Sequence, residues 1–100
     1  MIIMKNSYTN ESRKYKILHH TRWAPGNDVE VPTRLVVIQF TPLHGHGDYA
    51  LRWQNKDGAT YGGGAFNTEK GATERFLRSV QEHNEWYPKG NPSHLPGIVK

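Results

Sequence analysis

His44-Gly-His46-Gly-Asp48 puts two imidazoles and a carboxylate on one short stretch, and His19-His20 adds two imidazoles earlier in the chain. Neutral imidazole with carboxylate is a workable zinc or nickel environment. If any residues hold a metal here, they are His44, His46 and Asp48, with His19 and His20 able to join them across a sheet edge. The pattern stops short of a metal signature. There is no HExxH, and without cysteine there is no Cys-based zinc site. The six histidines then read as ordinary surface residues, and no metal or other cofactor is expected.

Other chemistry is equally thin. No nucleophile elbow, dinucleotide fingerprint or kinase-like motif occurs. Gly62-Gly63-Gly64 lacks the GxxxxGK[ST] spacing of a phosphate loop. The acids fall mostly in turns or on the outer face of a predicted helix, so no buried carboxylate pair is visible. No catalytic residue is expected, and the chain reads as a non-enzyme.

The elements that must position these residues are clearer. Asp48 to Tyr87 reads as two strands joined by a tight turn and running into one helix. Tyr49, Leu51 and Trp53 alternate with Ala50, Arg52 and Gln54, the period of a strand. Asn55-Lys-Asp-Gly58 is a hairpin turn, with Asp-Gly supplying left-handed positions. Thr60–Phe66 returns, its three glycines marking a bulge, a bend or a close approach of another backbone. The helix begins near Asn67 or Thr68, either able to accept a bond from a free backbone N–H. Ala72, Phe76 and Val80 form its buried stripe, bordered by Leu77 and His83. Pro88 ends it.

A strand is expected at Arg34–Thr41. Val36, Ile38 and Phe40 point one way, and Leu35, Val37 and Gln39 the other. Apolar residues on both faces imply a central strand, or a face covered by the N-terminal segment. Lys14–Trp23 alternates Tyr15, Ile17, His19, Thr21 and Trp23 against Lys16, Leu18, His20 and Arg22, which fits another strand. Ala24-Pro-Gly-Asn-Asp28 is a turn signal. The fold class is therefore α+β: a three- to four-stranded antiparallel sheet packed on one C-terminal α-helix. Residues 1–13 are expected to be a flexible segment, 14–87 a single α+β domain, and 88–100 an extended tail that Leu95 and Ile98 can pin back.

Charge and composition narrow the partners. The net charge of +4 lies in the first quarter, where Lys5, Arg13, Lys14, Lys16 and Arg22 face Glu11 alone. A basic arm can follow phosphates or dock on an acidic protein surface. The opening Met1-Ile-Ile-Met4 is too short an apolar run for a signal peptide or membrane span. A soluble cytoplasmic protein without membrane contact is expected. Eleven aromatics exceed the needs of so small a core. Trp23, Tyr61, Trp86 and Tyr87 fall at predicted edges or ends, where rings anchor interfaces or stack on bases.

Gly64-Ala-Phe66-Asn-Thr-Glu-Lys-Gly-Ala-Thr-Glu-Arg-Phe76 resembles the G-x-F-D-T-x-E-x-A-A-x-x-Y passage of the ethylene-response-factor (APETALA-type) DNA-binding domain. The similarity covers about residues 34–80. Gly64, Phe66, Thr68, Ala72 and Phe76 match positions that shape the strand-to-helix join and the core. The resemblance implies a three-stranded antiparallel sheet on one helix, and duplex contacts from Arg and Trp on the strands. Arg34, Arg52 and Trp53 are the equivalents here. The first strand departs from the pattern, being Leu-Val-Val-Ile where the family is rich in arginine.

Three readings follow. A chain without chemistry, with a basic end, edge aromatics and a Pro/Gly tail, is similar in style to small phage-encoded anti-CRISPR and host-takeover proteins. That likeness implies an inhibitor of a host nucleic-acid-handling defence complex, acting by protein–protein contact. The partner is then a host protein or nucleoprotein complex, met through Lys14, Lys16, Arg22, Trp23, Arg52, Trp53, Tyr61, Trp86 and Tyr87. The second reading is a duplex DNA-binding module using the sheet face, and the third a metal protein using the histidine loop. The few bases on the predicted sheet favour the first over the second.

Overall fold

The computed structural model describes residues 13–26 and 31–99. The expected N-terminal flexible segment, apart from Arg13, lies outside the described residues. So does the end of the turn signal at 27–28. The described elements are β1 (Lys14–Thr21), β2 (Thr33–Thr41), β3 (Tyr49–Asn55), β4 (Thr60–Phe66), α1 (Glu69–Trp86) and β5 (Ile98–Val99). They form a five-stranded sheet in the order β4-β3-β2-β1-β5, with every neighbouring pair antiparallel. The helix packs on one face, so the α+β expectation holds. The strand beyond the expected three or four is β5, where Thr21 pairs with Ile98 and His20 with Val99.

Strand β2 is central and buried on both faces. Leu35 and Val37 face α1 and join Leu51, Ala72, Phe76, Val80 and the tail residue Leu95. Val36, Ile38 and Phe40 face away and join Ala50, with Tyr15 and Ile17 packed against them. Burying one large apolar side chain contributes about 1.5–3 kcal/mol, so each of these rows weighs in the stability of a domain this size.

Strand β1 does not keep the even alternation its sequence suggests. Ile17 pairs with Ile38 but His19 pairs with Val37, an irregularity at Leu18. The extra residue moves Leu18 and His19 to the helix side, where His19 stacks on Phe76 with centroids 6.4 Å apart. Tyr15 and Ile17 stay on the opposite side. A bulge changes the phase of a strand without changing its propensities, so alternation alone does not reveal it.

The glycines of β4 form the expected bulge. Leu51 pairs with Gly64 and Trp53 with Tyr61, so Gly62 and Gly63 together stand opposite Arg52. Both have positive φ, 66° and 84°. A Cβ on Gly63 would overlap the Leu51 carbonyl. In the hairpin turn only Gly58 is left-handed, at φ 96°. Asp57 instead accepts the Ala59 N–H through its side chain at 3.0 Å.

Thr68 caps α1, its hydroxyl accepting the Gly71 N–H at 3.0 Å. The buried stripe is Ala72, Phe76 and Val80. Among the described residues, no helix is long and apolar enough to cross a membrane. The tail after Pro88 is not simply extended. It turns twice, with Asn91 N–H on the Pro88 carbonyl and His94 N–H on the Asn91 carbonyl. Leu95 then drops into the core at 2% exposure. The Asn84 side chain holds it from both sides, accepting the Leu95 N–H at 2.9 Å and donating to the Leu95 carbonyl at 3.0 Å.

Candidate functional site

Strand alternation divides the residues at one end of the sheet, where β2 begins and β3 ends. Thr33, Trp53 and Asn55 point to the helix side; Arg34 and Gln54 point away. Each side carries its own surface.

On the helix side is a cleft of about 470 Å³. This volume falls in the ordinary range of small binding sites, about 300–1,000 Å³. Its aromatic lining is Trp53, Tyr61, His83 and Tyr87, with Leu95 and Pro92 from the tail. His83 organises the rings. It lies 5.0 Å from Trp53 and 4.6 Å from Tyr87, centroid to centroid. Its Nε2 donates to the Ser93 carbonyl at 2.7 Å, which fixes the ring against the tail. Among the described residues, no Asp, Glu, Lys or Arg lines the cleft. Trp86 follows on the helix at 82% exposure and Tyr87 is 40% exposed.

On the far side, Trp23 receives two cations. The Arg34 guanidinium carbon is 4.5 Å from the ring centroid and Lys56 Nζ is 4.6 Å from it. Arg34 Nε donates to Gln54 Oε1 at 2.8 Å. One terminal nitrogen also comes within 3.4 Å of His20 Nδ1. That imidazole nitrogen sits 2.8 Å from the Thr21 carbonyl and must carry its proton there. The Arg34 approach is therefore a contact between two donors and not a hydrogen bond. Partial burial lowers the Arg34 pKa from its ordinary value.

Of the residues expected to bind a partner, the structure gathers Trp53, Tyr61 and Tyr87 in the cleft, with Trp86 next along the helix. Trp23 lies on the far side. Lys14 and Lys16 are exposed on the part of β1 that β5 does not cover. Arg22 is exposed beside Gly97, whose carbonyl accepts its backbone N–H at 2.9 Å. Arg52 turns inward, one nitrogen donating to the Leu51, Gly62 and Gly64 carbonyls at 2.9, 3.2 and 3.1 Å. It serves the glycine bulge. The trio that the resemblance carries over is also divided: Arg34 and Arg52 face away from the helix, while Trp53 faces it.

The histidine loop folds around Asp48 and not around a metal position. The buried carboxylate accepts the His44 and Gly45 N–H groups at 2.8 and 2.7 Å and pairs with Arg13 at 3.2 Å. The His44 N–H chiefly, then Gly45 and Arg13, hold its pKa below the ordinary value against the opposing effect of burial. His44 and His46 are exposed. His19 does not join them; its Nε2 lies 3.6 Å from Glu69 on the helix side. Among the described residues, no three of His, Cys, Asp and Glu come together as a metal site.

Residues that sequence reasoning passed over include His83 as a cleft organiser, Thr33 and Asn55 in its wall, and Lys56 over Trp23. Only His83 carried a signal, its place on the border of the apolar stripe. No family model matches the chain, and neither a curated protein nor a solved structure is detectably similar to it.

Proposed function

We propose that this chain is a non-enzymatic binding protein of the phage or mobile-element kind. It inhibits a host nucleic-acid-handling defence complex by protein–protein contact, in the manner of an anti-CRISPR. The observation that supports protein contact is the aromatic cleft. Trp53, Tyr61, His83 and Tyr87 line a concave surface to which the described residues bring no Asp, Glu, Lys or Arg, and Trp86 follows at 82% exposure. Ordered aromatic side chains beside a pocket are what the centres of protein interfaces use. A phosphate-bearing ligand would bring charge to a wall where the described residues offer no Lys or Arg.

Duplex binding through the sheet has less support. Arg52 is spent on backbone carbonyls, and Trp53 lies on the helix side. The nominated metal ligands are exposed histidines around a carboxylate that backbone N–H groups already hold.

The test is capture from nuclease-treated host lysate, followed by titration of the purified partner. Wild type is expected to retain a nucleic-acid-handling protein after nuclease. The Trp86→Ala/Tyr87→Ala double variant is expected to bind it at least about tenfold more weakly, as loss of an interface anchor does. Capture that vanishes with nuclease would overturn the proposal. So would sub-micromolar duplex binding that falls steeply with salt.

A further inference from the structure

We propose that Trp23, Arg34 and Lys56 form a carboxylate-binding site that receives an acidic segment of the protein partner. This rests on the protein-binding reading above but uses the opposite face of the sheet. Two cationic head groups stand over one indole, 4.5 and 4.6 Å from its centroid. Contact with the ring leaves the charge of each cation uncancelled. Among the described residues no carboxylate pairs with either one; Asp48 pairs with Arg13, and Glu69 lies beside His19. Asp57, next to Lys56 in the turn, has its carboxylate on the Ala59 N–H.

Arg34 is poised to bind. Among the described residues only its Nε has an acceptor, Gln54 Oε1, and the His20 nitrogen near its terminal end is itself a donor. The two terminal nitrogens are left as a fork, the geometry that takes a carboxylate through paired N–H···O bonds. Stacking on Trp23 and the bond to Gln54 fix the plane of that fork before anything binds, so little freedom is lost on binding. Lys56 is exposed and adds a second charge from the turn.

The number of cations selects the ligand. Arg52 and Arg13, the other arginines reaching this face, are engaged with carbonyls and with Asp48. Arg34 and Lys56, which no carboxylate of the described residues pairs, can neutralise one or two carboxylates. On duplex DNA they would neutralise about two phosphates and give a log–log salt slope of only about −1.8. That is a weak, non-specific grip. One or two Asp or Glu side chains on a polypeptide fit the site better.

The chain has three tryptophans, and each indole N–H reports its own surroundings by NMR. An oligoglutamate peptide is the probe, with a short DNA duplex and inorganic phosphate as comparison arms. Saturable movement of the Trp23 resonance by the peptide is expected, with Trp53 and Trp86 unmoved. Arg34→Gln should weaken the peptide about tenfold, the size of a lost charge-assisted hydrogen bond. Lys56→Gln, an exposed change that leaves the fold alone, should weaken it severalfold. A Trp23 resonance that stays fixed in the folded wild type would overturn the site. Movement by duplex or by free phosphate at lower concentration than by the peptide would overturn the choice of carboxylate. Partner binding lost in Trp86→Ala/Tyr87→Ala but unchanged in Lys56→Gln would leave the protein-binding reading standing and remove this one.

Discussion

The two faces of the sheet are built from the same strands and end in opposite chemistry. On the helix side, Thr33, Trp53 and Asn55 line an aromatic cleft. One residue further along each strand end, Arg34, Gln54 and Lys56 gather at a cationic cluster on Trp23. Trp23 and Ala24 are divided the same way, the ring on the far side and the alanine in the cleft. The pleat alone does this, since successive residues of a strand point to opposite faces. A domain with so little core can thus offer two unlike surfaces at one end, while the row β2 contributes to each face stays buried.

The comparison can be broken first at the cores. Phe76→Ala on the helix side should cost about 3–5 kcal/mol, and Ile38→Ala on the far side about 2–5 kcal/mol. Urea unfolding measures both. A cost well under 1 kcal/mol for Ile38→Ala would mean the far face is no core at all.

Smaller changes sharpen it at the cleft. Asn84→Ala removes both bonds to Leu95 and should cost about 1–3 kcal/mol, since it leaves a buried N–H and carbonyl unpaired. It should also raise hydrogen exchange at Leu95 and weaken partner binding, because Leu95 and Pro92 form the cleft wall. Unchanged exchange there would show that the tail is held by something other than Asn84. Thr68→Ala should cost about 1 kcal/mol through loss of the helix cap. It acts at the other end of α1, so partner binding should not change.

The smallest effect expected is one of pH, and it belongs to the far face. Arg13 lies over Phe40 on that side, at 4.7 Å from the ring centroid, and pairs with Asp48. The folded Asp48 pKa lies below the ordinary value of 3.8. Its contribution is therefore fully present above that value and is lost as pH falls through the folded pKa. Asp48→Asn should be less stable than wild type at neutral pH, and the difference should shrink as the solution is made strongly acidic. A difference that stays constant through the acid range would show that the charge of Asp48 is not what holds the loop.

Much of the fold was legible in the residues. The alternation of β2 and β3, the Asp-Gly turn, the glycine bulge and the Ala72–Phe76–Val80 stripe each state a local preference that the tertiary structure also uses. The phase change at Leu18 was not legible, because a bulge is decided by pairing with β2 and not by the strand's own pattern. Strand β5 was hidden for a related reason. Two residues carry no period, and Ile98 and Val99 become a strand only by meeting His20 and Thr21. The site was half legible. Aromatic residues at element ends marked Tyr61, Trp86 and Tyr87, while the gathering of Trp53, His83 and Leu95 depends on where the tail returns. Arg52 looked like a surface base and is a bulge clamp, because the missing side chains of Gly62 and Gly63 leave carbonyls within its reach.

The most direct test of the cleft as the protein-binding surface is site-specific photo-crosslinking. Val31 lines the cleft and is 58% exposed; His46 is exposed on the histidine loop and does not line it. A photoreactive residue is placed at each position in turn and irradiated in nuclease-treated host lysate. A protein adduct is expected from position 31, lost when Trp86→Ala/Tyr87→Ala is added, with no adduct from position 46. Equal adducts from both positions, or adducts to nucleic acid alone when nuclease is omitted, would contradict it.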